Sequence, residues 1–355
     1  MPASIKVISA YHAQSHDHWY KELQTLPYNW SLHSLSPRYF SWRIRGNPLS
    51  YFDELTKMSD CDLLLCTSMV DLATIKGLDK RVSELPCLLY FHENQFAYPI
   101  NQQQGILEAQ ITSLYSAISA DSIAFNSEYN RLSFFQGADK FLKKMPDHKP
   151  KNLLKSLENK SQVIHVPIPC STDKPDISIT EPIKIVWNHR WEYDKNPELL
   201  EAFLSEMTNR KMPFKISIVG QQFRKKPEIF ERIKTKFEEN IEAWGFVDKR
   251  QNYEAVLDES HFVLSTADHD FQGISMLEAV ARGCIPIAPK DLAYPEFFDE
   301  PFLYNKASTQ EKSAINAVDC ISRHLKKSYE LPKTSHLEIS NLGNIYRKWF
   351  DSFLV

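Results

Sequence analysis

Short apolar runs alternate with longer amphipathic stretches along the whole chain. Ile5 to Ser9, Asp62 to Cys66, Pro86 to Phe91, Ser122 to Phe125 and Val163 to Val166 each have strand length, with helix-sized segments between them. Parallel strands need long crossovers, so this alternation predicts βαβ units on a parallel sheet. The polar, proline-bearing stretch Pro169 to Pro182 reads as a linker. Beyond it a second series runs through Ile183 to Trp187, Phe214 to Val219, Ile241 to Phe246, His261 to Ser265 and Ile285 to Ala288, with helices expected over Pro197 to Asn209, Lys226 to Glu239 and Ile274 to Arg282. The fold class is therefore α/β, with two Rossmann-like doubly wound domains at residues 1–170 and 181–355. They are expected to face each other across a cleft lined by the carboxyl ends of the strands. The tail Asn341 to Val355 carries aromatic and aliphatic residues at helical spacing and is expected to dock on a core, with packing back on the first domain as one option.

Composition narrows the function. With 43% hydrophobic and 25% charged residues, the 355-residue chain is neither fibrous nor disordered. Only 9 glycines stand against 20 prolines, and no segment matches a Walker-type phosphate loop. The 42 Lys and Arg against 45 Asp and Glu give a net charge of −3, so a nucleic-acid partner would need a local patch. One candidate is the basic segment Lys143 to Lys160, whose other reading is a solvated face. The start lacks a basic-then-apolar leader and no apolar run nears the roughly 18 residues that span a bilayer, which suggests a soluble, cytoplasmic protein without a membrane partner. Cys61, Cys66, Cys87, Cys170, Cys284 and Cys320 lack metal-ligand spacing and read as reduced, buried thiols.

The most informative segment is Thr266 to Pro289, TADHDFQGISMLEAVARGCIPIAP. A strand ends near Ser265, a loop carries Asp268, His269 and Asp270, and a helix starts near Ile274. The N–H groups around Gly273, Ile274 and Ser275, at the positive end of that helix, suit phosphate or sugar oxygens. Asp270 and Glu278, eight positions apart, are acceptors for sugar and ribose hydroxyls. After the first strand of the second domain, Arg190 and Lys195 stand in a polar loop fit to clamp a diphosphate. No Asp-x-Asp motif forces a metal requirement. In the first domain His92 directly follows a strand, with Glu93, Asn94 and Gln95 forming a polar cluster beside it, and Ser15 and His16 follow the first strand. Arg38, Arg43 and Arg45 interleave with Tyr39, Phe40 and Trp42, a pairing suited to phosphates and unpaired bases. Its other reading is core aromatics with helix-capping arginines.

The Asp270 to Glu278 segment is similar to the acidic-x7-acidic motif of retaining nucleotide-sugar glycosyltransferases of family 4, which have the GT-B fold. That resemblance implies that Glu278 holds the nucleotide ribose, that Asp270 binds the donor sugar, and that Arg190 and Lys195 stabilise the leaving diphosphate. It also implies base readout by backbone around Gly220, Gly245 and Phe246. Asp270 stands where that family usually has Glu, shorter by one C–C bond of about 1.5 Å. The wider pattern, SHDHW, PRYFSWRIRGN, CTSMVDLATIKGL, LYFHENQFAYP, FNSEYNRLSF, WNHRWEYDKNPE and HDFQGISMLEAV, resembles the tRNA-queuosine mannosyltransferase family from about Val7 to Pro289. This implies transfer of mannose from GDP-mannose to queuosine in the anticodon of aspartate tRNA. In that reading, residues 1–170 are the acceptor side, residues 181–355 bind the nucleotide sugar, and no metal or other cofactor is needed. Ser15 and His16 then belong to the donor site, His92 to the sugar or acceptor side, and Arg38, Trp42, Arg43, Arg45, Glu93 and Asn94 to the acceptor. The alternatives are a lipid-linked or small-molecule acceptor, or a nucleotide-sugar binding protein without catalysis.

Overall fold

The computed structural model describes residues 2–98, 106–147, 150–169, 179–222 and 227–354. Six strands form the first sheet: β1 (Ser4–Ser9), β2 (Asn29–Ser34), β3 (Leu63–Thr67), β4 (Cys87–Phe91), β5 (Ser122–Phe125) and β6 (Ser161–Val163). Their order is β2-β1-β3-β4-β5-β6, all parallel. The second sheet contains β7 (Ile183–Trp187), β8 (Phe214–Val219), β9 (Ile241–Gly245), β10 (Phe262–Leu264), β11 (Ile285–Pro289) and β12 (Leu303–Tyr304). Its order is β12-β11-β10-β7-β8-β9, again parallel. In each sheet the order reverses beside the first strand, between β1 and β3 and between β7 and β10. Such reversals splay the loops at the carboxyl ends apart and open a crevice there.

The central strands are buried along their whole length, as parallel strands covered by helices on both faces must be. Ile8, Leu64, Leu89, Phe91, Phe125 and Phe134 belong to the core of the first unit, and Trp187, Trp191, Phe203, Ile218 and Phe230 to that of the second. The edge strand β2 and the two-residue β12 were not expected from the pattern. β2 pairs on one side only and carries Asn29, Ser31 and His33, so its hydrophobic signal is diluted. The expected strand Val163 to Val166 pairs instead over Ser161 to Val163.

The chain divides into one unit of Met1–Pro167 plus Ile339–Val355 and another of Ile168–Glu338. The second domain thus ends well before residue 355, because the tail helix Ile339–Asp351 lies in the first unit. There the Trp349 indole donates to Ser122 Oγ at 2.9 Å and the Tyr346 hydroxyl to the His165 carbonyl at 2.9 Å. Burial of Leu342, Tyr346, Trp349 and Phe350 contributes about 2 kcal/mol each relative to exposure. Cys66, Cys87, Cys284 and Cys320 are free and buried, Cys61 is half-buried, and Cys170 lies outside the described residues. Burial pushes the Cys87 and Cys284 thiols up to about 12, which fits inert core residues. The linker is described only at 169 and from 179 onward, and the expected helix start at Lys226 also lies outside the described residues. The helix Glu128–Lys144 runs into the start of the basic segment and the helix Leu153–Asn159 lies in its second half, and Lys143 pairs with Asp139 at 2.6 Å.

Candidate functional site

The switch point of the second sheet carries most of the expected donor chemistry. The loop after β7 holds Asn188 to Asn196 and the loop after β10 holds Ser265 to Gly273. They meet through Lys195, a buried residue whose Nζ donates to the His269 carbonyl at 2.5 Å. The same ammonium lies 3.3 Å from Asp194 Oδ2 and 3.6 Å from Asp270 Oδ2. Asp194 and His269 backbones tie the loops again, with Asp268 and His269 N–H groups donating to the Asp194 carbonyl.

Asp270 closes the turn that starts the helix Ile274–Ala281. Its Oδ1 accepts the Gly273 N–H at 3.1 Å, and its Oδ2 accepts the Tyr294 hydroxyl at 3.1 Å. Burial works to raise its pKa, but Lys195, His189 and these two hydrogen bonds together hold it below the ordinary carboxylate value. Gly273 has φ +73°, and a Cβ there would sit 2.8 Å from the Tyr294 ring, so both conformation and space require glycine. The N–H groups of the helix's first turn, at Ile274 and Ser275, have no intrahelical partners. One turn further in, Glu278 accepts from Arg250 Nη1 at 3.1 Å and from the Tyr253 hydroxyl at 3.4 Å. Asn188 in turn donates to Tyr253 at 2.9 Å and to the Ser275 carbonyl at 2.8 Å. Its own Oδ1 is buried without a hydrogen-bond partner among the described residues.

Arg190 lies differently from Lys195. Its side chain is about half exposed and pairs with Glu192 at 2.8 Å, while Asp194 stands 4.0 Å away. The two expected phosphate-binding cations are thus linked by one carboxylate, Asp194, that the spacing did not single out. Gly220 and Gly245 terminate β8 and β9, where the Gly220 N–H donates to the Gly245 carbonyl at 3.1 Å, and Phe246 next to them is exposed.

In the first unit, the loops after β1, β3 and β4 gather histidines and one carboxylate. His16 and His92 stack with ring centroids 4.0 Å apart. His16 Nδ1 faces Ser9 Oγ at 3.3 Å and its Nε2 faces Glu93 at 3.6 Å, while Ser68 donates to Glu93 at 3.0 Å. Both ring nitrogens of His92 are buried without a hydrogen-bond partner among the described residues, and burial followed by the nearby His16 and His12 holds its pKa well below the ordinary value. Ser15 is exposed on the helix Gln14–Leu23, whereas His16 points inward.

Asn94 is turned away from the acceptor role expected for it. Its amide donates to Asn130 Oδ1 at 2.8 Å and Ser133 Oγ at 2.9 Å, and its oxygen accepts the Phe96 and Ala97 N–H groups. Every polar atom of the side chain staples the loop. Arg45 likewise pairs with buried Asp71, so its charge is already matched. On the helix Phe40–Tyr51, Trp42 is 58% exposed, which removes the core reading for it, whereas Phe40 is partly buried against the first core; Tyr39 before them is 69% exposed. Arg38 is exposed and donates to Ser36 Oγ at 2.9 Å, while Arg43 is half-buried with Nε and Nη1 unpartnered among the described residues.

His189 and His269 beside Lys195 are pushed down to about 4, first by burial and then by the Lys195 charge. The unfolded chain takes up those protons near the ordinary value of about 6.5. Their contribution is therefore fully present above about pH 6.5 and is lost as pH falls toward 4, because the unfolded state binds more protons in that window. Urea midpoints should decline from about pH 7 to 5, and His189→Gln with His269→Gln should flatten the decline. A midpoint that holds level or rises on acidification would contradict the neutral, buried state of these rings.

Two doubly wound sheets with this site define a glycosyltransferase of the GT-B class. The fold is similar to that of Anabaena HepE in complex with UDP-glucose, with a TM-score of 0.68 at 12% identity over 99% of this chain and 100% of that one. It is also similar to a glycosyltransferase from Rickettsia africae, with a TM-score of 0.65 at 16% identity over 99% and 98%. Residues 4–168 match the family described as tRNA-queuosine alpha-mannosyltransferase N-terminal, and residues 172–336 match glycosyl transferases group 1. A tRNA-queuosine alpha-mannosyltransferase of Drosophila melanogaster is 33% identical over 294 residues, 80% of this chain and 78% of that protein. The chain belongs to the tRNA-queuosine alpha-mannosyltransferase family and is a hexosyltransferase. No helix among the described residues is long and apolar enough to cross a membrane, and none of their His, Cys, Asp and Glu groups is arranged to hold a metal ion.

Proposed function

We propose that the protein moves mannose from GDP-mannose to queuosine in the anticodon of tRNA(Asp), in the cytoplasm and with retention of the anomeric configuration. The observation that carries the reading is Lys195, buried at the switch point between Asp194 and Asp270. In this reading the donor diphosphate displaces those carboxylates as partner of Lys195, and Arg190 approaches it from the solvent side. The two cations neutralise charge as the glycosidic bond breaks, which is electrostatic catalysis by the chain's own groups without a metal. Asp270 and the N–H groups from Gly273 to Ser275 hold the sugar, Glu278 the ribose, and backbone around Gly220, Gly245 and Phe246 the base. His92 is assigned one N–H donor and one acceptor for the sugar or acceptor hydroxyls, with His16 stacked against it, and Ser15 is assigned to the donor.

The exposed Tyr39, Trp42 and Arg38 supply stacking planes and charge for the unpaired anticodon bases. The test is transfer of radiolabelled mannose from GDP-mannose to queuosine-containing tRNA, with tRNA lacking queuosine as control. Label should appear only on the former. Arg38→Glu with Trp42→Ala should weaken tRNA binding by about tenfold or more while leaving GDP binding unchanged, since one stacked base contributes ~1–3 kcal/mol. Label on neither tRNA overturns the donor and acceptor assignment, and unchanged tRNA affinity overturns the aromatic face.

A further inference from the structure

The carboxylate expected to hold the sugar is an aspartate, which has less reach than a glutamate. Its orientation is set by a residue distant in sequence. Tyr294 opens the short helix Tyr294–Phe297, after β11, and is fully buried. A buried tyrosine needs one partner for its hydroxyl, and Ser265 Oγ at 2.7 Å already provides it. Yet the hydroxyl also donates to Asp270 Oδ2 at 3.1 Å.

The hydrogen bonds form one directed chain. The Ala267 N–H donates to Ser265 Oγ at 3.3 Å, the serine hydroxyl can then donate to Tyr294, and Tyr294 donates to Asp270. Tyr304 fixes the start of the chain by donating to the Ser265 carbonyl at 2.8 Å. At its end the Gly273 N–H holds the other carboxylate oxygen at 3.1 Å. With one oxygen tied to the helix start and the other to the phenol, rotation of the carboxylate about its Cβ–Cγ bond is blocked. The Tyr294 ring also occupies the space where a Gly273 Cβ would stand, so one side chain shapes both the carboxylate and the turn.

We propose that Tyr294 is a positioning residue for Asp270: its hydroxyl aims the aspartate carboxylate at the donor sugar and holds it there through transfer. The proposal rests on the role assigned to Asp270 above. Burial, followed by the charge of Asp270, keeps the phenol well above its ordinary pKa, so it stays a donor across the working range.

Tyr294→Phe removes the hydroxyl and keeps the ring against Gly273. With GDP-mannose and queuosine-containing tRNA, kcat should fall about tenfold or more, as expected for one lost hydrogen bond to a charged group, with KM for tRNA unchanged. In an Asp270→Asn background the same substitution should cost nothing further in residual turnover, because the tyrosine acts through the carboxylate. Ser265→Ala, which removes the donor behind Tyr294, should give a smaller loss with the same dependence on Asp270, and it carries the test if Tyr294→Phe does not fold. Independently of any substrate, the carboxyl 13C titration of Asp270, assigned by its absence in Asp270→Asn, should move to higher pH in Tyr294→Phe, because a bond to the ionised form is lost. An unchanged kcat, or an equal loss with and without Asp270, overturns the proposal. If the wild-type protein transfers nothing from GDP-mannose, the functional reading fails, and the titration alone decides the positioning: an unmoved midpoint overturns it.

Discussion

Lys195→Ala should lower kcat/KM for mannose transfer by about 10²–10³-fold, the effect of removing one preorganised group that meets developing charge. The loss has two physical parts. The first is direct, since in the proposed reaction the departing diphosphate no longer finds a desolvated ammonium. The second is indirect: Asp270, 3.6 Å from Nζ, loses its cation in a largely buried loop pair, and Asp194, 3.3 Å from Nζ, keeps only Arg190 at 4.0 Å. Breaking such a pair from one side destabilises the fold by about 3 kcal/mol, because a charge remains that water reaches poorly. His189 and His269 should then titrate closer to the ordinary histidine value, since Lys195 is the second cause of their depression after burial. Steady-state kinetics, urea melts and histidine NMR titrations on one variant read all three effects. A variant with near-normal kcat/KM would remove Lys195 from the chemistry even if its stability dropped.

Gly220→Ala should be among the most destabilising substitutions in the second unit. Gly220 has φ +155°, and its added Cβ would stand 1.9 Å from the His189 carbonyl oxygen. Both partners are backbone, so no side chain can swing aside. The loop after β7 must move away from the end of β8, or the bond from the Gly220 N–H to the Gly245 carbonyl must break. We expect a loss of about 3 kcal/mol, combining backbone strain with disrupted packing, and a fall in Tm of roughly 10 °C for a unit of this size. GDP binding should weaken as well, since the displaced loop carries Arg190 and Lys195. Gly77→Ala is the matched control. It lies in the helix Leu72–Leu78 with nothing within 4 Å of its Cβ, and alanine there should stabilise by about 0.5–1 kcal/mol. Equal melting temperatures for the two variants would contradict the backbone clash.

What was legible in the chain were features that repeat or stand close together. The strand cores of both sheets, the Asp270 to Glu278 spacing at a helix start, Arg190 and Lys195 after β7, and His92 after β4 all follow from local pattern. An apolar run of five residues or a turn-forming glycine imposes its geometry on its neighbours without help from distant residues. The edge strand β2 escaped because half-solvated strands lose the hydrophobic contrast that marks central ones. The tail helix showed its apolar face in sequence, but no periodicity says which core that face will cover.

Polar partnerships were the tertiary structure's to decide. Asp71 neutralises Arg45 across 26 positions, Asn94 is consumed by Asn130 across 36, and Tyr294 reaches Asp270 across 24. Each changes what a residue can do: one arginine loses its free charge, one amide its access to ligand, and one carboxylate its freedom to turn. Sequence determines a side chain's charge and the element that carries it, because those depend on residue type and near neighbours. Burial, facing charge and hydrogen-bond direction arise only where crossovers bring separate loops to one sheet end, and these set the difference between Lys195, enclosed between two carboxylates, and Arg190, half in water.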